Sequence, residues 1–568
     1  MHLRPIISHT LVRILGYLSL AFLPLLFFPG CTEGESTSAE TPPNIILMFT
    51  DELQFSDLGA YGGAIPTPNI DQLATEGVLF TNAYTPASMC TPSRFAVLTG
   101  QYPGRCRSTS FLKANPVIEP YSIAWNTWLT PGAQTLPRLL SQNGYFTGMA
   151  GKWHVGQVPE GTDLPALAAA ADPTDPKVQT QLAERQRIYE RLVREYGGFD
   201  YTASVVWGNY DNHPVEALRF HNFPWMSKGA LDFLDEAARR DQPFFLYFTP
   251  TAIHGPNHVE DLEQDVTLTP QGRVPEVAAY QIDRNRLKEA MANLPRSVRH
   301  RYAGMAQMDY QLELLRRRLD SLNLAENTII LFMSDHNIEP GKATSYEKGI
   351  HIPMIAHWPG KTSGRQSAAL VSNVDVLPTL LEAAGIKLEG DTPRDGVSFL
   401  PVLTDSSANV RSHIYAENGY TRAVRDGRYK YIALRYPGRL IEAMESGEMN
   451  HVPSYVGPWP QAHSAIAMQA FPAYFEQDQL YDLEADPYEL RNLAGEEDYA
   501  DVLSRLRDSL EQQLRTFDHP FPLAPIPFLE SQHYRELQDV NRSFDLYTIP
   551  WLSRDHGNLH WPPGVDSN

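Results

Sequence analysis

Two runs of the chain leave few options for its fold. "NIILMFTDE" (Asn44 to Glu52) and "TIILFMSDHN" (Thr328 to Asn337) are apolar at successive positions and then stop on acids. Side chains alternate across a strand, so a strand without polar alternation has to bury both faces. These runs therefore read as strands of a parallel sheet covered on both sides by helices. "QPFFLYFTPTAIHGP" repeats the texture, with His254 just past the apolar part. "TLPRLLSQNGYFTGMAGKWH" predicts a helix and then a strand that delivers Lys152 and His154.

The segments between them complete the alternation. "TPNIDQLATEGVLFTNAY" reads as helix then strand, and "SRFAVLTG" as a helix closed by Gly100. A long amphipathic helix precedes Thr328, "YEKGIHIPMIAHWPG" adds a strand and "NVDVLPTLLEAAG" a helix. The expected class is α/β, a large mixed, mostly parallel sheet flanked by helices. Residues Pro159 to Tyr196, rich in Ala and Glu, read as an inserted surface helix, and Gly255 to Pro295 as a long polar loop. From about Ser412, "SHIYAENGYTRAVRDGRYKYIAL" and "QLYDLEADPYELRNLAG" predict short antiparallel strands and then a helix to about Phe517. That is a smaller C-terminal α+β domain with a short antiparallel sheet.

The first residues have a different character. Arg4 and Arg13 lead into an apolar stretch from Ile14 to Phe28, interrupted by Pro24 and followed by Gly30 and Cys31. The stretch is short for a membrane span. The small residue before Cys31 resembles a bacterial lipoprotein processing site, although Pro29 departs from that pattern. Residues 1–31 are expected to be a signal of lipoprotein type with Cys31 as the lipidated residue, and 32–42 a linker. A cleaved secretory signal and an uncleaved anchor are the alternatives. All three place the protein outside the cytoplasm, in the periplasm or on the outer membrane or cell surface.

In such sheets ligands bind outside the carboxyl ends of the strands, and here those ends carry chemistry. Asp51, Glu52, Asp335 and His336 follow two of the strands, and a carboxylate-rich set suits a hard divalent cation. His336 is either a nitrogen ligand or a group behind the ligands. Lys152, His154, His254, Lys342 and Arg94 form a cationic set. Lysine offers a point charge, arginine a fork of donors and histidine a proton shuttle, which together suit a sulfate or phosphate ester. The net charge of −20 argues against nucleic acid as a partner. Three cysteines, Cys31, Cys90 and Cys106, cannot build a disulfide scaffold; a Cys90–Cys106 bridge is the one simple pairing of the latter two.

"CTPSR", beginning at Cys90, is the Cys-x-Pro-Ser-Arg signature of the type I sulfatases of the alkaline-phosphatase-like superfamily, which the chain resembles from about residue 43 to 515. "TDELQFSDLGAYGG" is similar to the first metal motif, with Glu52 where Asp is commoner. "LTGQYPGR" continues the signature, "GKWHVG" resembles the Lys-Trp-His block, and "SDHN" the second metal motif, with His336 where Asn is commoner. "GKATSYEKGIHIPMIAHWPG" resembles the lysine-bearing segment, with Lys348 and His351 where Gly and Arg are more typical. "AVRDGRYKYI" and "LYDLEADPYELRNLA" match near the C-terminus.

The resemblance implies that Cys90 is oxidised to Cα-formylglycine by a formylglycine-generating or anaerobic sulfatase-maturating enzyme. It implies that one calcium ion per subunit, ahead of magnesium, is held by Asp51, Glu52, Asp335, His336 and the modified Cys90. Arg94 then steadies the modified residue, Lys152 and Lys342 bind sulfate oxygens together with His254, His154 is the base and His254 the general acid. The expected organisation is a catalytic domain 43–410, a subdomain 411–517 and an extension 518–568 wrapping over both. The expected activity is hydrolysis of sulfate esters on a sulfated carbohydrate, with Trp207, Trp225 and Trp459 as candidate sugar-stacking residues. The rivals are a phosphodiesterase or phosphonate monoester hydrolase of the same superfamily and an inactive glycan-binding lipoprotein.

Overall fold

A computed structural model describes residues 41–543 except 117, 389–393 and 459–461. The signal expected for 1–31, Cys31, Trp459 and the chain beyond 543 lie outside the described residues. No described helix is long and apolar enough to cross a membrane.

The main sheet takes β1 (Asn44–Thr50), β2 (Val78–Tyr84), β3 (Phe146–Lys152), β4 (Tyr201–Val206) and β5 (Phe244–Thr249) from the first half of the chain. A separate small hairpin, β6 (Leu268–Thr269) and β7 (Gly272–Arg273), follows. The sheet then resumes with β8 (Thr328–Ser334), β9 (His351–His357), β10 (Arg365–Ser367) and β11 (Val371–Ser372). The order is β10-β2-β9-β8-β1-β5-β3-β4, with β11 also on β2. Strand β9 runs antiparallel to β2 and β8, and every other pair is parallel. The sheet is mixed and mostly parallel, as the sequence predicts.

The apolar runs divide between two cores. Ile45, Leu47 and Phe49 of β1 join one buried cluster, while Ile46 and Met48 join the other on the opposite face. Each such side chain contributes roughly 1.5–3 kcal/mol by leaving water. With both faces occupied, the polar residues that end these strands have one place to go, the carboxyl edge.

The smaller sheet is antiparallel: β12 (Ile414–Asn418), β13 (Thr421–Arg425), β14 (Tyr429–Leu434) and β15 (Asp478–Asp482), in that order. Leu506 and Leu510 of the helix Ala500–Leu514 pack on Val424, Tyr431 and Leu480 of this sheet. Its β12–β13 turn reaches the main domain, where Asn418 Oδ1 accepts from Ser88 N at 2.8 Å. Ser88 Oγ also donates to Thr344 O at 2.6 Å, tying together the segments that carry Cys90 and Lys342.

Two expectations need correction. Within Pro159 to Tyr196 only Pro176–Gly197 is helix. Pro159, Gly161, Pro165 and Pro173 interrupt the earlier part, where proline removes donors and restricts the preceding residue. Gly255 to Pro295 is not one loop. It holds the helix His258–Asp261, the β6–β7 hairpin and the helix Arg284–Met291. Asn257 and Asp283 cap those helices through side-chain oxygens, a signal that was present in the polar text.

One long-range contact fixes a helix over the main sheet. Asp309, on the helix Arg296–Ser321, accepts from Asn69 N at 3.0 Å, Ile70 N at 2.9 Å and Asn69 Nδ2 at 2.7 Å. The two backbone N–H groups are orphan donors of the helix Pro68–Glu76. Asp309→Ala leaves them buried without an acceptor and is expected to cost about 2–3 kcal/mol. The urea midpoint at unchanged m-value measures this; a shift worth less than about 0.5 kcal/mol would count against the contact.

Candidate active site

Strands β8, β1, β5 and β3 are consecutive neighbours, and each delivers a polar residue at or just beyond its carboxyl end. Neighbouring strands lie about 4.8 Å apart, so residues far apart in sequence meet. Asp335 and His336 follow β8, Asp51 and Glu52 follow β1, His254 lies beyond β5, Lys152 ends β3 and His154 follows it. Delivery of Lys152 depends on Gly151. It has φ 107°, and a Cβ there would stand 2.3 Å from the Thr249 carbonyl oxygen on β5. Glu52 and His154 themselves adopt left-handed backbone, at φ 58° and 49°, a conformation that costs non-glycine residues about 1 kcal/mol or more.

Cys90 opens the helix Cys90–Thr99, all of whose residues are buried, and Gly100 closes it at φ 64°. Pro92 sits in the first turn, where its missing N–H loses no helical bond. The Cys90 Sγ is 3.3 Å from His336 Nε2, 3.5 Å from Lys152 Nζ and 3.6 Å from Asp51 Oδ1. Both Cys90 and Cys106 are free thiols, so the structure has no Cys90–Cys106 bridge.

Ligand atoms of Asp51, Cys90, Asp335 and His336 all lie within 4.8 Å of one another, and all four residues are buried. His336 Nδ1 faces the Asn337 carbonyl oxygen at 2.7 Å. That oxygen can only accept, so Nδ1 carries a proton, and Nε2 is the ring nitrogen turned toward the cluster. Asp335 Oδ1 accepts from His336 N at 2.8 Å and Glu52 N at 3.2 Å, and its Oδ2 from Arg94 at 3.0 Å. Two carboxylates, an imidazole nitrogen and the position-90 side chain form a donor set that fits a divalent cation. His336 thus faces the cluster itself.

Two buried carboxylates this close repel by on the order of 3 kcal/mol at an effective dielectric near 20. Burial raises both, and nearby cations decide the outcome. Lys152, with His254 and Arg94, holds Asp51 well below the ordinary range in spite of its burial. Asp335 stays raised, by burial and by Asp51, against His336 and Arg94. Burial and Asp51 push the Cys90 thiol far up, with Lys152 opposing. A thiolate is therefore disfavoured at this position.

The remaining predicted residues form a flank. Lys342 Nζ pairs with Glu52 Oε1, and burial lowers its pKa to about 8. Glu52 thus turns toward Lys342 and lies 3.7 Å from His254 Nε2, while its backbone N–H serves Asp335. His254 Nδ1 faces Gly255 O at 2.9 Å and Nε2 lies 3.2 Å from Asn209 Nδ2. Burial, then Lys152 and Arg94, lower His154 well below its usual value, leaving it neutral near pH 7 with Nδ1 buried and without a hydrogen-bond partner.

Sequence reasoning missed several contributors. Ser93 Oγ donates to the Asp335 carbonyl at 2.5 Å and accepts from Asn373 Nδ2 at 2.8 Å, locking the Cys90 helix to the end of β8. Ser93 was visible only as part of the five-residue signature. Asn209, beside His254, follows no apolar strand end directly. Trp225 does not meet solvent: it is 1% exposed, with Nε1 donating to Gln271 Oε1 at 3.1 Å, and packs in the core. Trp207 does line a cavity, together with His154.

Comparison with known proteins identifies the family. Residues 43–386 match the family described as Sulfatase, and 341–442 match the N-sulphoglucosamine sulphohydrolase C-terminal family. Human arylsulfatase A is 30% identical over 486 residues, covering 80% of this chain and 84% of that protein. The N-acetylgalactosamine-6-O-sulfatase of Bacteroides thetaiotaomicron is 27% identical, covering 86% of this chain and 98% of its own. A solved structure concerned with glycosaminoglycan metabolism by Bacteroides thetaiotaomicron superposes with a TM-score of 0.57 at 24% identity, covering 83% of this chain and 99% of its own. With the family matched over most of the catalytic fold, the chain belongs to the sulfatases and is a sulfuric ester hydrolase.

Proposed function

We propose that this sulfatase removes sulfate from a carbohydrate, and that Cys90, oxidised to formylglycine, supplies the nucleophile. The observation that carries the reading is the setting of Cys90. Its side chain starts a buried helix and touches Asp51, His336 and Lys152 together. A raised thiol pKa makes cysteine itself a poor nucleophile here. The hydrated aldehyde suits the same place, because its two hydroxyls can share the work.

One hydroxyl attacks sulfur and the ester oxygen leaves as the alcohol, protonated by His254. Burial and Lys152 lower the pKa of His254, while Asp51 raises it; an arriving sulfate acts in the same direction as Asp51. The second hydroxyl then gives its proton to His154, which is neutral and able to accept it. As that oxygen becomes the aldehyde carbonyl, the neighbouring carbon–oxygen bond breaks, sulfate leaves with the oxygen that attacked it, and water adds again to the aldehyde. Lys152 and Lys342, paired here with Asp51 and Glu52, would meet the sulfate oxygens, and Arg94 keeps Asp335 and Asp51 compensated. Asp51, Asp335 and His336 would hold the divalent cation, calcium by preference, with Glu52 at the margin. When bound, the cation supplies positive charge that lowers the pKa of the attacking hydroxyl. The carbohydrate assignment draws on the relatives, which include an N-acetylgalactosamine-6-O-sulfatase.

Sulfate release from a panel of defined sulfated oligosaccharides tests the substrate class, with peptide mass confirming formylglycine at position 90. Cys90→Ala is expected to lower turnover on the order of a thousandfold or more; retained turnover, or faster hydrolysis of matched phosphate diesters, would overturn the reading. Chelation should abolish activity and calcium restore it, whereas restoration by magnesium alone would assign the site to magnesium. His254→Ala should slow an alkyl or sugar sulfate about 100-fold more than nitrophenyl sulfate, whose leaving group needs no proton. Equal losses on both esters would remove His254 from the acid role.

A further inference from the structure

The reaction site leaves the rest of the glycan unspecified, and a neighbouring cavity of about 270 Å³ bears on it. The cavity shares His154 and Asn209 with the reaction site. Its far wall comes from the inserted helix Pro176–Gly197, through Arg185 and Tyr189, and from the segment after β4, through Trp207 and His213. Tyr189 and Trp207 stack at 4.9 Å between centroids, 17° from parallel. The Arg185 guanidinium lies 5.3 Å from the Tyr189 ring centre, continuing the stack.

Arg185 is half-buried beside this stack. Three buried arginines have acids: Arg94 has Asp335 at 3.0 Å, Arg435 has Asp478 at 3.0 Å and Arg422 has Glu417 at 3.5 Å, whereas buried Arg425 meets Tyr84 and the Gly427 carbonyl. Arg185 has no carboxylate partner among the described residues, although the chain carries 67 acidic residues against 47 basic ones. One donor, NH1, reaches the Pro165 carbonyl at 2.9 Å. Its Nε is buried and unpartnered. A buried N–H without a partner is costly to leave unmet, and an anion in the cavity would supply an acceptor. His213 cannot be that partner, since burial, with Arg185 and Arg219 nearby, lowers it to about 4 and keeps it neutral.

We propose that this cavity holds a sugar unit of the substrate and that Arg185 binds a second oxyanion on it, a uronate carboxylate or another sulfate. The stacked Tyr189 and Trp207 give the apolar face of the ring a wall, and Arg185 sits at its end with a planar fork suited to either anion. The inference rests on the carbohydrate reading above and narrows it to glycans that carry two negative groups near the scissile ester.

The test compares kcat and KM of the enzyme, formylglycine confirmed by mass, on defined oligosaccharides. One set carries a single sulfate, a second adds a neighbouring carboxylate, a third adds a second sulfate, and nitrophenyl sulfate reports the reaction site. The unmodified sequence should prefer one dianionic set over the monosulfated set by about tenfold to a hundredfold, and which set wins identifies the anion. Arg185→Gln and Arg185→Ala should raise KM on that set and erase the preference, with a loss about tenfold larger than on nitrophenyl sulfate. No preference in the starting enzyme, or equal losses on all four substrates, would overturn the proposal and leave the carbohydrate reading standing. Turnover of nitrophenyl sulfate with none of the glycans would overturn both.

Discussion

The buried lattice of Asp51, Asp335, Arg94 and Lys152 is the interaction on which the rest of the site depends. None of these side chains is exposed beyond 1%. Either acid alone would be expensive in this interior, and together they repel. Arg94 is positioned by the same helix that begins at Cys90, and it bridges toward both acids. The helix, the two strand ends and the charge balance are therefore one arrangement. Loosening any member would expose an uncompensated charge, which costs more than the pair itself contributes.

The cationic flank balances this interior without repeating it. Lys342 and His254 both face Glu52, whose left-handed backbone turns its side chain away from the deeper cluster. Ser88 joins the flank to the smaller sheet through Asn418 and to the Lys342 segment through Thr344. The C-terminal sheet thus has a mechanical part in the site even though its residues supply none of the proposed chemistry.

Much of this was legible in the chain. Apolar runs without alternation announce two buried faces, and acids at their ends announce the working edge of a sheet. Strand order was not legible. That β9 lies antiparallel between β2 and β8 depends on packing that no local pattern records. The direction of Glu52 was hidden for a similar reason, since one positive φ redirects a side chain whose neighbours belong to distant segments. Trp225 could have been read better. Asn222 caps a helix and Pro224 occupies its first turn, which places the next residue on a helix that packs on the sheet. The cavity wall was half visible, because the inserted helix was foreseen but its stacking on Trp207 joins residues brought together only by the fold.

The burial of the helix Cys90–Thr99 has a consequence for timing. Cys90 is 1% exposed, and Thr91, Pro92, Ser93 and Arg94 are all interior, pinned by Asp335, Asn373 and the charge lattice. An enzyme acting on the Cys90 side chain would find it accessible before the fold has closed and shielded afterwards. Once the strands have docked, access would require undoing much of the sheet's carboxyl edge. If position 90 is oxidised as proposed, that step would compete with folding, and the yield of modified protein would follow the relative rates of the two as well as the stability of the finished fold.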